Sequence, residues 1–173
     1  MEEDPLALSR RRLIYRHISE HPGTYLREME PALGLSVGDL QYHLSQLERA
    51  GLVTSHDDGK RKGYFAASEV LLSDRHVISA VRMRTPRRII IFLLLHPDST
   101  FGEVLADFSF TKGALSFHMK RLVRSGIVSR GRKEAGWCYR VAEPERVGRL
   151  LVTYRAALAD DLLDGIADML AGI

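Results

Sequence analysis

Residues 35–53 read LSVGDLQYHLSQLERAGLV, and residues 110–128 read FTKGALSFHMKRLVRSGIV. In the first stretch Ser36 stands where a helix N-cap belongs, with Asp39 three residues later as a capping-box-like partner. Leu40, Leu44 and Leu47 follow at i, i+4 and i+7, the spacing of a buried helical stripe, and Gly51 closes the helix at its C′ position. In the second stretch Thr111 takes the cap, Leu115, Met119 and Leu122 the stripe, and Gly126 the stop.

The two stretches are the centre of a longer duplication. An offset of 75 residues aligns positions 12–64 with 87–139 without a gap and gives thirteen identities, among them His21/His96, Gly38/Gly113, His43/His118, Gly51/Gly126 and Tyr64/Tyr139. Chance would give about three or four at ordinary residue frequencies. The chain is therefore two copies of one module. A module of ~60 residues buries only ~60% of its unfolded surface, so further packing partners are expected.

Working outward, Asp4-Pro5 starts a helix carrying Leu6, Leu13, Ile14 and Ile18, and His21-Pro22-Gly23 stops it. Thr24 caps a short second helix ending at Gly34. After the third helix, Leu52-Val53-Thr54 reads as a strand, His56 to Gly63 as a polar turn, and Tyr64-Phe65 as the return strand. The second copy repeats this order. Thr85-Pro86 caps and starts its first helix, Thr100 with Glu103 forms a capping box, and a hairpin turns within Gly131–Gly136 before Trp137 to Val141 returns. The expected fold is mainly α with small β-hairpins. Two tandem winged helix-turn-helix domains span 1–67 and 85–142, a helical connector spans 68–84, and a C-terminal amphipathic helix spans 143–173.

Leu35-Ser36, Leu40, Tyr42-His43-Leu44, Leu47-Glu48 and Ala50-Gly51-Leu52-Val53 together resemble the recognition-helix signature of winged-helix regulators of the ArsR and MarR type. Leu115, Phe117-His118-Met119, Leu122 and Ser125-Gly126-Ile127-Val128 are a degenerate version. The tandem arrangement at this size is similar to that of many archaeal regulators. The resemblance implies a transcriptional regulator that binds double-stranded DNA and dimerises through terminal helices. Metal-sensing members of the ArsR type carry a Cys-x-Cys pair in this region; this sequence has none, so metal sensing is not implied.

Net charge is +3 for the whole chain, but its distribution is uneven. Residues 1–75 carry 10 basic and 12 acidic side chains, residues 76–142 carry 12 and 4, and residues 143–173 carry 3 and 6. A recognition helix presents polar and cationic groups to bases and phosphates. In the second module Thr111, Lys112, Ser116, Lys120, Arg121 and Arg124 lie on the third helix or its cap, and Arg130, Arg132, Lys133 and Arg140 on the hairpin. These ten are the expected DNA footprint, with the helix in the major groove and the wing on the adjacent backbone. The first module offers Ser36, Gln41, Tyr42, Ser45 and Arg49 on its third helix and Lys60, Arg61 and Lys62 on its wing. There Asp39, Asp57 and Asp58 oppose a polyanion, so either DNA or a protein partner is open for that module.

From Glu145 onward Val147, Leu151, Tyr154, Leu158, Leu162, Ile166, Met169 and Ile173 recur at spacings of three and four, one apolar stripe suited to homodimerisation. Packing on the chain's own modules is the alternative. The acidic residues Asp160, Asp161, Asp164 and Asp168 argue against an anionic lipid surface.

The longest uninterrupted apolar run, Ile89 to Leu95, is far short of the ~18 residues a membrane span needs. The acidic start (Glu2, Glu3, Asp4) gives no expectation of a signal peptide, and a single cysteine fits a reducing cytoplasm. No Gly-rich phosphate loop, His-Glu-x-x-His or serine-elbow motif occurs, so neither catalysis nor a cofactor is expected. His43 and His118 flank the buried stripes and read as structural rather than metal-binding. Cys138 reads as a small strand residue, with a redox role as the lesser alternative. The rival function is a tandem winged-helix protein-binding scaffold in a chromosome or transcription complex. It would need apolar side chains on the outer face of a third helix, and Phe117 is the sizeable candidate.

Overall fold

The computed structural model describes residues 9–57, 59–134 and 136–154. The proposed helix start at Asp4-Pro5 and the tail positions Leu158, Leu162, Ile166 and Met169 lie outside them. Backbone contacts divide the chain into two compact units between Ser79 and Ala80.

In the first unit α1 (Ser9–Glu20), β1 (Thr24–Tyr25), α2 (Leu26–Leu33) and α3 (Val37–Arg49) precede a hairpin of β2 (Val53–Asp57) and β3 (Lys62–Ala66). Then comes α4 (Leu72–Arg82), within which the division between units falls. The sheet order is β1-β3-β2, all antiparallel, with Thr24 opposite Tyr64 and Ser55 opposite Tyr64 from the other side. Ile14 and Ile18 of α1, Met29 of α2, Leu40, Leu44 and Leu47 of α3, Val53 and Tyr64 form one buried core. The α3 stripe expected from sequence is thus fully buried. Burying each Leu stabilises the unit by roughly 1.5–3 kcal/mol relative to leaving it exposed.

The caps around α3 follow the sequence closely. Ser36 Oγ accepts the Asp39 N–H at 3.1 Å, and Gly51 takes the left-handed backbone (φ 70°) that ends the helix. Thr24, however, does not cap α2. It is a sheet residue, and Tyr25 is the cap, its N–H donating to Glu28 Oε2 at 2.9 Å. Pairing with β3 claims the residue that pattern alone assigned to the helix. The sheet approaches the turn before it so closely that Gly63 has no room for a side chain: a Cβ there would lie 2.9 Å from Gly23 O.

The second unit repeats the order. α5 (Arg84–Leu95), β4 (Ser99–Thr100), α6 (Phe101–Asp107) and α7 (Lys112–Arg124) precede β5 (Val128–Lys133) and β6 (Gly136–Val141), with sheet order β4-β6-β5. Leu115, Met119 and Leu122 are buried, and Thr111 Oγ1 accepts the Ala114 N–H at 3.2 Å. The Thr100/Glu103 capping box forms, and the donated Thr100 N–H and hydroxyl hold the Glu103 carboxyl below its usual range. α5 starts earlier than expected: Met83 is its N-cap, and Pro86 lies within the first turn, where a missing N–H costs no helical bond. The hairpin is also longer. Gly131, assigned to the turn by sequence, is a strand residue opposite Cys138, whose Sγ would lie 3.4 Å from a Cβ at 131.

α8 (Pro144–Thr153) lies at the start of the segment expected to form the C-terminal helix; residues 155–173 lie outside the described residues. Val147 is buried by its own chain, so the first residue assigned to a dimer face is occupied within the protomer. Leu151 and Tyr154 are half-buried. Among the described residues no helix is long and apolar enough to cross a membrane.

Gly63→Ala should destabilise the protein by about 1–3 kcal/mol, because the clash is with backbone rather than with a flexible side chain. The midpoint of urea unfolding reports it; an unchanged midpoint would show that β1 and its turn yield freely.

Candidate nucleic-acid interface

The buried stripes decide what the third helices show to solvent. At 3.6 residues per turn, residues two positions on lie about 200° around the helix. Phe117 is therefore diametrically opposite Leu115, and Tyr42 opposite Leu40. Both aromatics are exposed, Phe117 by 45% and Tyr42 by 59%. Beside Phe117, Lys120 and Arg124 are exposed and Ser116 and Arg121 half-buried, and Lys112 is exposed in the first turn. The Arg121 guanidinium lies 5.7 Å from the centroid of the Phe117 ring. α7 contains no carboxylate, and its cap Thr111 is exposed.

α3 is electrostatically different. Asp39 in its first turn pairs with Arg10 at 3.3 Å and accepts the Ser36 hydroxyl at 2.9 Å. Ser36 is thereby engaged as a cap, and Ser45 donates its hydroxyl to the Tyr42 carbonyl at 2.8 Å. Gln41 and Arg49 are exposed. On the hairpin Lys62 is tied inward. Its Nζ lies 3.0 Å from Glu48 Oε1 and 5.1 Å from the Tyr64 ring centroid. Burial, the largest single influence, works against the Lys62 charge, but the bond and charge of Glu48 together with Tyr64 outweigh it and raise the ammonium pKa. Arg61 stacks over Tyr25 at 5.2 Å, and Lys60 is exposed. Tyr25, Arg27, Gln41, Arg61 and Lys62 border an open cleft of about 570 Å³ between α2, α3 and the hairpin.

The second wing does not present its four cations on one face. Strand residues alternate sides. Arg130 and Arg132 share a face with Trp137 and Tyr139, while Lys133 and Arg140 share the other with Cys138. On the first face both guanidinia lie over the half-exposed Trp137 ring, at 4.4 and 5.9 Å. On the second, Arg140 Nε is 2.6 Å from Asp98 Oδ1, and Lys133 Nζ is 4.0 Å from Asp98 Oδ2 and 3.3 Å from the Asp98 carbonyl. Asp98 has a left-handed backbone (φ 65°) and is the counterpart of Gly23 in the first unit. The buried Cys138 thiol faces the same carboxylate at 3.9 Å. The expectation of a single cationic wing surface thus narrows to Arg130 and Arg132. Their stacking partner Trp137 and the counter-ion Asp98 were both missed. Two-residue alternation along 128–133 was the signal that would have separated them.

His43 is buried with its ring edge toward Tyr42, and its Nδ1 lacks a hydrogen-bond partner. Burial first, then the charges of Arg11 and Arg10, lower its pKa, against a smaller opposing effect of Asp39. His118 is half-buried, edge-on to Phe117 in the same way. Among the described residues no group of three or more His, Cys, Asp or Glu could hold a metal ion.

The lowered His43 pKa has a pH signature. The unfolded chain takes up the proton near 6.5, whereas the folded unit resists it. The stability this residue secures is complete above about pH 6.5 and falls as pH drops below it. Replacing His43 with Leu should flatten that acid-side loss, read as the shift in urea midpoint between pH 8 and pH 5. Equal shifts in wild type and variant would contradict the assignment.

Residues 8–78 match the family model HTH_HVO_0163_N, described as an N-terminal HTH domain. Over 127 residues the chain is 31% identical to a Methanocaldococcus jannaschii protein named as an uncharacterized HTH-type transcriptional regulator. That match covers 73% of this chain and 32% of the relative, so the chain spans about a third of the relative's length. The matched family segment runs from the start of α1 to within α4, and with the geometry above it supports reading the first unit as a helix-turn-helix domain.

Proposed function

We propose that this protein is a sequence-specific double-stranded DNA-binding transcriptional regulator built from two tandem winged helix-turn-helix domains of ArsR/MarR-like type. In this reading α7 enters the major groove and Arg130 and Arg132 of the β5–β6 wing hold the adjacent backbone. The observation that carries it is the outward face of α7. It presents Lys120, Arg121 and Arg124 without a carboxylate, with Lys112 exposed in the first turn beside the exposed cap Thr111. That is the charge and polarity a phosphate-lined groove selects. The first domain docks more weakly, through Gln41, Tyr42, Arg49, Lys60 and Arg61, because Asp39 and Glu48 already engage Arg10 and Lys62.

Exposed Tyr42 and Phe117 favour the second reading, a protein-binding scaffold, since both lie on outer helix faces. The cations that flank Phe117 weigh toward a polyanion instead.

We also infer a homodimer through the C-terminal helix, with Leu151 and Tyr154 at its start and Leu158, Leu162, Ile166 and Met169 continuing the stripe. Light scattering should then give twice the chain mass, and Leu158→Glu with Leu162→Glu should halve it.

Electrophoretic shifts on random duplexes test the DNA reading. Lys120→Ala with Arg121→Ala should abolish most binding, and Lys60→Ala with Arg61→Ala should reduce it modestly. Docking by the second domain alone, on ~3–4 phosphates, gives a log–log salt slope near −3 per chain, whereas docking by both, on ~6, gives a slope near −5. Unchanged binding in both double variants overturns the docking mode.

A further inference from the structure

We propose that Phe117 is the base-reading residue of α7, its ring packing on the 5-methyl group of a thymine in the major groove, with Gly113 one turn earlier allowing the helix to lie close to the base edges. This rests on the duplex-binding reading above and names the chemistry recognised by that same helix.

Three observations converge on it. First, Phe117 has no part in the core. Leu115, Met119 and Leu122 complete the buried stripe, and Phe117 lies on the opposite side with nearly half its surface in water. A large apolar ring at the centre of an otherwise polar face is costly to solvate and gains only when something apolar covers it. Second, Lys120, Arg121 and Arg124 flank that ring on the same outward side of the helix, with the Arg121 guanidinium stacked toward it. A partner that covers the ring must be polyanionic at its rim and apolar at its centre. A duplex major groove meets both demands, with phosphates along its edges and thymine methyls on its floor.

Third, Gly113 lies in the first turn of α7 on the same outward side, four residues before Phe117. A Cβ built there meets nothing within 4 Å, and its φ is not in the left-handed region. Neither the core nor the backbone requires glycine at this position, and glycine costs a helix up to ~1 kcal/mol relative to alanine. The first unit keeps the same pair at the same spacing, Gly38 and Tyr42. There too the glycine is not demanded by packing, since the nearest atom to its Cβ is Ser36 Oγ at 3.9 Å. A bare backbone four residues before an outward aromatic fits an external surface that approaches the helix closely.

The test uses the full chain. Duplexes selected from a random pool are remade with each thymine replaced in turn by deoxyuridine, which removes only the methyl group. Affinity is then measured by fluorescence anisotropy for wild type, Phe117→Ala and Gly113→Ala. One deoxyuridine position should weaken the wild type about fourfold, the value of one buried methyl group. The same replacement should leave Phe117→Ala unaffected. Gly113→Ala should unfold at equal or higher urea concentration than wild type yet bind the selected duplex less tightly. Selected duplexes without a required thymine, or deoxyuridine effects that are equal in wild type and Phe117→Ala, overturn the inference while leaving duplex binding intact. No duplex binding by wild type at low salt overturns the inference and the function it rests on together. The uracil scan of the wild type needs no variant to fold.

Discussion

The burial of three side chains on one side of a helix governs everything else in each unit. Once Leu40, Leu44 and Leu47, or Leu115, Met119 and Leu122, are taken into the core, helical geometry leaves no choice about what faces outward. The caps set where the helix starts and the following glycine sets where it ends, so the outward face is fixed in extent as well as direction. The hairpin is joined to this arrangement through β1 and β4, short strands that lie between the first and second helices and pair with the returning strand. Third helix and hairpin are thus placed by the same hydrophobic contacts that hold the unit together.

Duplication with divergence has given this shared frame two electrostatic characters. In the first unit acidic side chains occupy positions beside the outward face and engage cations that would otherwise project from it. In the second unit those acidic positions are gone from the helix, and one carboxylate has appeared elsewhere, in the turn before β4. The frame tolerates such exchange because none of these residues belongs to the leucine stripe or the sheet register.

The fold was legible wherever a local rule acts alone. The Ser36 and Thr111 caps, the Thr100/Glu103 box, the leucine stripes and the Gly51 and Gly126 stops depend on spacing over a few residues, and each is found in the structure. Legibility failed where a distant strand intervenes. Thr24 reads as a cap until β3 pairs with it, and Gly131 reads as a turn until Cys138 lies opposite. The candidate site was read by residue type and not by direction. Lys133 and Arg140 look equivalent to Arg130 and Arg132 in a list of basic residues, and only strand alternation and the left-handed Asp98 set them apart. The outward position of Phe117 was visible in its place on the helical wheel, yet an aromatic among cations does not match the polar pattern by which groove-facing helices are usually sought.

The left-handed residue at position 98 does more than close a turn. By holding two cations on one side of a two-stranded ribbon while two others stack on an indole at the reverse, it polarises the ribbon across its thickness. Such a ribbon has two unlike sides, one closed by a carboxylate and the other carrying guanidinium groups laid on an aromatic ring. One left-handed residue in the turn before the sheet thereby makes the two sides of the hairpin chemically unequal.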